Sequence, residues 1–435
     1  MIMANDLTLA GRQVTVLGAG RTGLSVARFL LTEGAHVYLS EQARLSAEVA
    51  HELEALGVHY EDGGHTERAL AGAGLIVPSP GISSDLPLLQ AARRRGIPII
   101  GELELAYRFC PSARIIAVTG SVGKTTTVHL IEKLLKTNSH RVVRAGNEAE
   151  PFIAALPKIR SETIILLEVS SFQLETVESF RPHITVFTRF APNHLDRHGS
   201  LEAYFALKCR IFENQTEQDY AVVHREIALP DGLRPRLIRF DGSELAGPEY
   251  RLLLPHQRAD LAAALLACRL LDPAIRLDLL NLEKAVALPH RIEFIAEIDG
   301  VCFYDDSKAT SVAATLAALH GFSSSTLLIL GGRTKGEDLS PLARAIRDHD
   351  LQGVLLIGES APLFAQALNV VGYRRYEPIS DLQAAVEIAL QLRPESCLLS
   401  PACASFDQFN SYQERGQSFQ RIVWSCAQSS VLLPV

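Results

Sequence analysis

The chain has 435 residues, 47% of them apolar and 21% charged, with a formal net charge of -7. That length exceeds one ordinary core and predicts about three domains, while the mild acidity and the lack of any Lys/Arg block exclude a nucleic-acid footprint. No apolar run reaches the length of a membrane span, the opening MIMANDLTLAGR does not read as a targeting segment, and the cysteines (Cys110, Cys209, Cys268, Cys302, Cys397, Cys403, Cys426) never pair as C-x-x-C, so a cytoplasmic protein without disulfides, zinc or membrane insertion is expected.

In chain order, Val14-Thr15-Val16-Leu17 reads as a strand, Gly18-Ala19-Gly20-Arg21-Thr22-Gly23 as a glycine loop, and Leu24 to Leu30 as a helix. A second strand, Val37-Tyr38-Leu39, ends at Ser40-Glu41. This is a G-x-G-x-x-G phosphate-binding unit with an acid about twenty residues on. It does not by itself say which nucleotide it holds. Two further units are expected, one with the strand Leu75-Ile76-Val77 before Pro78-Ser79-Pro80-Gly81, the other with the strand Ile97-Pro98-Ile99-Ile100. The proline loop reads equally as a stiff turn or as a ligand loop at a strand end.

Pro111-Ser112 breaks the chain before its clearest motif, the apolar run Ile115 to Val118 followed by Thr119-Gly120-Ser121-Val122-Gly123-Lys124-Thr125-Thr126-Thr127. A helix with Val128, Ile131, Leu134 and Leu135 on one face should follow. Strand, glycine loop and helix together form a shortened phosphate loop: backbone N–H groups cradle phosphate, Lys124 reaches the terminal phosphates and Thr125 suits Mg²⁺. Lysine is scarce, at eight in the chain, and four of the eight (Lys124, Lys208, Lys308, Lys335) fall in the motifs described here. Downstream, Gly146-Asn147 marks a turn, and the strand Ile164 to Glu168 carries an acid at its C-terminal end, where a second metal-binding carboxylate belongs. After the strand His183 to Phe187 comes the polar loop Pro192-Asn193-His194-Leu195-Asp196-Arg197-His198-Gly199. The helix from Leu201 to about Phe212 places Leu201, Phe205, Lys208 and Phe212 on one stripe. Its lysine either snorkels to solvent or is drawn toward the neutral form in an apolar interface.

A β-rich stretch (220 to 255) leads to an alanine-rich helix through Leu261, Leu265 and Leu266, and another helix should end near Leu288-Pro289-His290-Arg291. Beyond it, strands run into Asp305-Asp306-Ser307-Lys308-Ala309-Thr310, Gly331-Gly332-Arg333-Thr334-Lys335-Gly336 and Ser400-Pro401-Ala402-Cys403-Ala404-Ser405-Phe406-Asp407. Polar residues at strand C-termini are the binding edge of a doubly wound sheet. The expected fold is α/β, with three domains (1–111, 112–289, 290–435), each on a mainly parallel, Rossmann-like sheet, the central one a P-loop ATPase domain.

The motifs T-G-S-V-G-K-T-T-T, E-V-S-S-F-Q-L-E, H-L-D-R-H-G, L-P-H-R, D-S-K-A-T, G-G-R-T-K-G and S-P-A-C-A-S-F-D-Q-F resemble, in order and over nearly the whole chain, the ATP-dependent Mur ligases, most closely their D-glutamate-adding branch. The resemblance implies a monomeric cytoplasmic ligase of peptidoglycan synthesis using ATP and two Mg²⁺, with UDP-N-acetylmuramoyl-L-alanine and D-glutamate as substrates and an acyl phosphate between them. It implies that Gly20, Arg21, Thr22, Ser79, Gly81 and Asn147 bind the UDP-sugar in the first domain. Gly120, Gly123, Lys124, Thr125, Thr126, Arg291 and Asp306 would bind ATP. Thr125, Glu168, His194 and Lys208, the last as its carbamate, would serve the metals, and Lys124, Glu168, His194, Lys208 and Lys308 the chemistry. Thr310, Lys335, Ser405, Phe406 and Tyr412 would form the D-glutamate site.

The sequence departs from the family pattern at Val122, Glu148, Arg189, Asn193, Gln257 and Asp260, around the nucleotide and metal. Other readings are a relative adding L-glutamate or resembling folylpolyglutamate synthase, a UDP-sugar-binding homologue with weakened turnover, and a nicotinamide-dependent oxidoreductase. The phosphate loop argues against the last.

Overall fold

A computed structural model of the chain describes residues 7–193, 195–247, 250, 253, 255–277 and 289–431. They form three sheets in two compact units: Met1–Arg251 with Gln257–Leu280, and Leu252–His256 with Asn281–Val435. Among them no helix is long and apolar enough to cross a membrane.

The first unit holds two all-parallel sheets. In the first sheet, β1 (Gln13–Leu17), β2 (His36–Ser40), β3 (His59–Glu61) and β4 (Leu75–Pro78) lie in the order β3-β2-β1-β4. The strand expected at residues 97–100 is instead a single bridge from Ile99 to Ile76. Pro98 has no N–H to give a ladder, so its segment pairs at one point only.

The second sheet comprises β5 (Ile115–Thr119), β6 (Val142–Gly146), β7 (Ile164–Glu168), β8 (Ile184–Phe187), β9 (Tyr220–His224) and β10 (Arg236–Phe240), in the order β10-β9-β8-β5-β7-β6. β5, β7 and β8 are buried throughout, which is why they read as continuous apolar runs. The chain leaves β5 toward β6 on one side and β8 toward β9 on the other, so the sheet has its switch point between β5 and β8. Among the described residues the β-rich stretch expected from 220 to 255 holds β9 and β10.

The two sheets share a core that includes Leu103, Leu105, Phe152 and Phe180, and one short helix, Glu102–Arg108, binds them together. Its Glu104 is fully buried and accepts from the backbone N–H groups of Glu178, Ser179 and Phe180, from Ser179 Oγ, and from Arg108 Nε at 2.7 Å. Burial alone would raise its pKa. The donors on Ser179, Glu178 and Arg108 outweigh burial and hold it below the usual carboxylate range.

In the second unit, β11 (Glu293–Ile298), β12 (Val301–Asp305), β13 (Thr326–Gly331), β14 (Gly353–Ile357), β15 (Tyr376–Pro378) and β16 (Ser396–Leu399) lie in the order β11-β12-β16-β13-β14-β15. All pairs are parallel except β11 with β12, which closes that edge as a hairpin. The helix Tyr412–Val431 packs against β11 and β12. The helix expected to end near Leu288 lies outside the described residues.

Glu104→Ala would take the acceptor from three backbone N–H groups, Ser179 Oγ and Arg108 Nε, at about 3–5 kcal/mol, while Arg108 keeps Glu178. The urea midpoint should fall with the slope unchanged. Because the folded pKa is depressed, this contribution is full above the ordinary glutamate pKa and is lost as pH falls through the lower folded value. A midpoint equal to that of the parent chain at neutral pH would refute the latch.

Candidate active site

The phosphate loop is set by two glycines. Gly120 has φ 143°, and a Cβ there would lie 2.0 Å from Thr188 Oγ1; Gly123, which starts the helix Lys124–Thr137, has φ 92° and faces Asp260 Oδ1. The loop is tied to the segment after β8: Ser121 N donates to Arg189 O at 2.8 Å, Ser121 Oγ to Ala191 O at 2.8 Å, and Val122 bridges Arg189. Two of the departures from the family pattern therefore pair with each other. Lys124 Nζ folds back to Gly120 O at 2.9 Å. Thr126 and Thr127 are buried behind it, whereas Thr125 is partly exposed.

Glu168 ends β7 almost fully buried. Its Oε1 accepts from Asn147 Nδ2 at 3.2 Å, and its Oε2 is buried without a hydrogen-bond partner among the described residues. A buried carboxylate oxygen left over in this way suits a hard cation, as does the hydroxyl of Thr125. The side chains present thus fit Mg²⁺.

Lys208 is 1% exposed. Its helix is shorter than expected, Leu201–Cys209 followed by a 3-10 turn Arg210–Phe212. Of the residues expected on its stripe Phe212 is buried, whereas Leu201 and Phe205 are only half-buried; one turn back the buried neighbour is Tyr204. Lys208 Nζ donates to Gly120 O at 2.8 Å and lies 4.8 Å from the Tyr204 ring centroid. Burial, reinforced by the Lys124 charge and opposed by Glu168, pushes its pKa well below that of an ordinary lysine. It does not snorkel.

A cavity of about 450 Å³ in the same unit is lined by Gly20, Arg21, Thr22, Ser79, Gly81 and Asn147, the six residues expected to hold a UDP-sugar. Ser79 Oγ is buried there with no hydrogen-bond partner among the described residues. Glu41 lines it too, its Oε2 accepting from Ala19 N in the glycine loop at 2.6 Å. Glu102, nearly fully buried, was missed in the sequence; it lines the cavity and accepts from Ile153 N at 2.7 Å. Burial pushes its pKa up to about 7 against the pull of the Ile153 and Phe152 N–H groups.

In the second unit, the β12 end carries Asp306, whose Oδ2 accepts from Ser400 Oγ at 2.6 Å. Burial pushes its pKa up to about 7, with Ser400 and Arg291 pulling down. Lys308 N donates to His290 O at 3.0 Å, which brings the Arg291 segment to the β12 end, and Lys308 Nζ lies 5.8 Å from the Tyr412 ring centroid. Lys335 Nζ reaches Thr310 Oγ1 at 3.4 Å. Ser405 is buried, whereas Phe406 is 63% exposed. Arg415, also missed in the sequence, is buried and donates to Ser307 O at 2.8 Å and Cys403 O at 3.0 Å, between the β12 and β16 ends.

Residues 12–101 match the Mur ligase MurD-like N-terminal domain, 118–234 the Mur ligase middle domain and 290–403 the Mur ligase glutamate ligase domain. The UDP-N-acetylmuramoylalanine–D-glutamate ligases of Pelotomaculum thermopropionicum and Koribacter versatilis are each 36% identical to the chain, over 97% of it and 99% of their own length. The chain belongs to the Mur ligase family. Solved structures share this Mur ligase fold at low identity. The MurF ligase from Thermotoga maritima in complex with ADP has a TM-score of 0.58 at 16% identity, covering 96% of this chain and 99% of that one. The bifunctional folylpolyglutamate synthase/dihydrofolate synthase from Yersinia pestis, complexed with AMPPNP and Mn ion, has a TM-score of 0.52 at 16% identity, covering 74% and 93%.

Of the residues expected to form the Mur ligase site, His194 lies outside the described residues. The polar loop around it contains one helical turn, Leu195–His198. Ser170 forms a capping box with Gln173, so that serine is a helix cap, whereas Ser171 Oγ contacts His198 Nε2 at 3.0 Å. Arg415 left little trace in the sequence because it falls inside a helix. Glu102 had a signal, an acid within the otherwise apolar Ile99-Ile100-Gly101-Glu102-Leu103 run.

Glu102 binds its proton more tightly folded than unfolded between an ordinary glutamate pKa of about 4.3 and about 7. Its contribution to stability is therefore full below that window and declines as pH rises through it. Glu102→Gln, always neutral, should gain relative to the parent chain as pH rises from about 4.3 to about 7 and hold that gain above it, read as urea midpoints. A difference independent of pH would show Glu102 ionised throughout.

Proposed function

We propose that this Mur ligase joins D-glutamate to UDP-N-acetylmuramoyl-L-alanine at the expense of ATP, in the cytoplasm. The reading rests on a phosphate loop placed beside a buried, half-satisfied carboxylate, Glu168, in a chain related along its length to D-glutamate ligases. Residues 1–111 take the UDP-sugar, 112–289 ATP and 290–435 the amino acid.

The UDP-sugar occupies the cavity lined by Arg21, Thr22, Ser79, Gly81 and Asn147, its phosphates at the N-terminus of the helix Arg21–Thr32. Gly120, Gly123 and Thr126 shape the ATP phosphate cradle. Lys124 leaves the Gly120 carbonyl for the terminal phosphates and neutralises charge as the γ-phosphoryl group passes to the L-alanine carboxylate. The products of that step are ADP and an acyl phosphate. The D-glutamate amine attacks the acyl carbon, the C–N bond forms, the amine loses a proton and the C–O bond to phosphate breaks. Arg291 and Asp306 hold ATP, Lys308 supports the transfer, and Thr310, Lys335, Ser405, Phe406 and Tyr412 hold D-glutamate. Thr125, Glu168, His194 and Lys208 would hold Mg²⁺, which when bound neutralises phosphate charge.

Lys208 joins that set as a carbamate. Its neutral Nζ adds to the carbon of CO₂, an N–C bond forms and one proton leaves, so a cation hostile to Mg²⁺ becomes an anionic oxygen donor. The pKa depression from burial and from Lys124 supports this reading.

Phosphate release should require ATP, Mg²⁺, UDP-N-acetylmuramoyl-L-alanine and D-glutamate together, with L-glutamate inactive. Vigorous ATP hydrolysis without the other substrates, or equal rates with both enantiomers, would reject the assignment. Lys124→Ala should abolish turnover and leave UDP-sugar binding nearly intact, measured by calorimetry.

Lys208→Ala should be nearly inactive and partly restored by acetate, and removal of CO₂ should lower the activity of the unmodified sequence. Full activity of Lys208→Ala without added carboxylate would leave the lysine a packing role only.

A further inference from the structure

A continuous set of contacts runs from the UDP-sugar cavity to the phosphate loop. Arg197, in the helical turn Leu195–His198, aims its guanidinium at the loop after β4. Nη1 donates to Gly81 O at 3.1 Å and Nη2 to Ile82 O at 2.7 Å, while Nη2 also meets Glu175 Oε2 at 3.1 Å. The same guanidinium lies 5.4 Å from the Phe172 ring centroid. His198, the next residue, stacks on Phe172 at 5.2 Å and on Tyr204 at 5.1 Å. Tyr204 OH meets Ser121 Oγ of the phosphate loop at 3.1 Å, and Lys208, beside the Tyr204 ring, donates to Gly120 O.

The chemistry of the end nearest the cavity is particular to arginine. Two successive carbonyl oxygens and a carboxylate are met by one planar fork, a geometry that the single ammonium of lysine cannot copy. The acceptors are backbone atoms of the loop in which Gly81 lines the cavity. A ligand that shifts this loop therefore shifts what Arg197 holds. The other end is an aromatic stack in which the His198 ring pairs with both Phe172 and Tyr204.

We propose that Arg197, with His198 behind it, is a positioning residue that couples occupancy of the UDP-sugar cavity to the geometry of the phosphate loop. The proposal rests on the reading above that this cavity takes the UDP-sugar. It gives Arg197 no contact with either ligand.

The test measures the affinity of Mg²⁺–AMPPNP by calorimetry with and without saturating UDP-N-acetylmuramoyl-L-alanine, in the unmodified protein, in Arg197→Met, which keeps the stem over Phe172, and in Arg197→Lys, which keeps the charge. In the unmodified protein the UDP-sugar should change nucleotide affinity at least about fivefold, and in both variants that ratio should collapse to within about twofold, with each ligand alone bound within about threefold of normal. Turnover should fall with little change in the KM for UDP-sugar, and Arg197→Lys should not rescue it. Variants that keep the full ratio, or an unmodified protein that binds both ligands with a ratio of one, overturn the coupling. An unmodified protein that binds no UDP-sugar overturns instead the ligase reading on which the coupling rests. If Arg197→Met folds poorly, as judged by its melting curve, Arg197→Lys carries the test alone.

Discussion

Two lysine amines donate to one carbonyl oxygen, that of Gly120: Lys124 at 2.9 Å and Lys208 at 2.8 Å. Two ammonium ions so placed repel each other, and the one with less access to water yields. Lys208, at 1% exposure, loses basicity, while Lys124 stays on the half-buried loop where a phosphate can draw it away. The arrangement depends on Gly120, because the φ that turns its carbonyl toward both amines leaves no room for a Cβ against Thr188.

The same economy governs the end of β7. Gly146 has φ 104°, and a Cβ there would lie 2.3 Å from the Glu168 carbonyl oxygen, so the turn after β6 can press against the strand only as glycine. That approach delivers Asn147, which lines the cavity proposed for the UDP-sugar and donates to Glu168. One amide thus stands between the two regions proposed to take ligands in the first unit. Among the described residues Glu168 has a partner for one carboxylate oxygen and none for the other, and a buried oxygen without a partner costs free energy that a ligand there would relieve.

The parallel sheets were legible because their strands are buried on both faces and spelled as apolar runs, and each glycine loop stood directly after one. Segments with mixed signals were not. The run at residues 97–100 is apolar enough for a strand, yet Pro98 limits it to one bridge. The stripe through Lys208 was read in part: Phe212 is buried as expected, but one turn before the lysine the buried aromatic is Tyr204 and Phe205 is only half-buried. β11 escaped notice because only Ile298 in it is buried, Phe294 and Glu297 are exposed, and a bulge breaks its register where it pairs antiparallel at the edge. Arg415 escaped for a different reason: its acceptors, the carbonyls of Ser307 and Cys403, come from segments remote in sequence, and no local pattern encodes such a contact.

Among the buried acids, burial alone does not decide ionisation. Glu102 and Glu104 are two residues apart on one helix and both shut off from solvent, Glu102 the more deeply enclosed by protein, and one pKa rises to about 7 while the other is depressed. The difference is the number and kind of donors. Glu104 receives three backbone N–H groups, a hydroxyl and a guanidinium, which together replace the water it lost. Glu102 receives backbone N–H groups alone, and Asp306, with one hydroxyl from Ser400 and a more distant Arg291, rises in the same way. The fully satisfied acid is the one that joins the two sheets, whereas Glu102 lines the cavity proposed for the UDP-sugar and Asp306 a strand end rich in polar groups. A carboxyl at a structural joint gains from being permanently charged and saturated, whereas Glu102 and Asp306, pushed up by burial and met by fewer donors, keep hydrogen-bonding capacity that a ligand beside them could use.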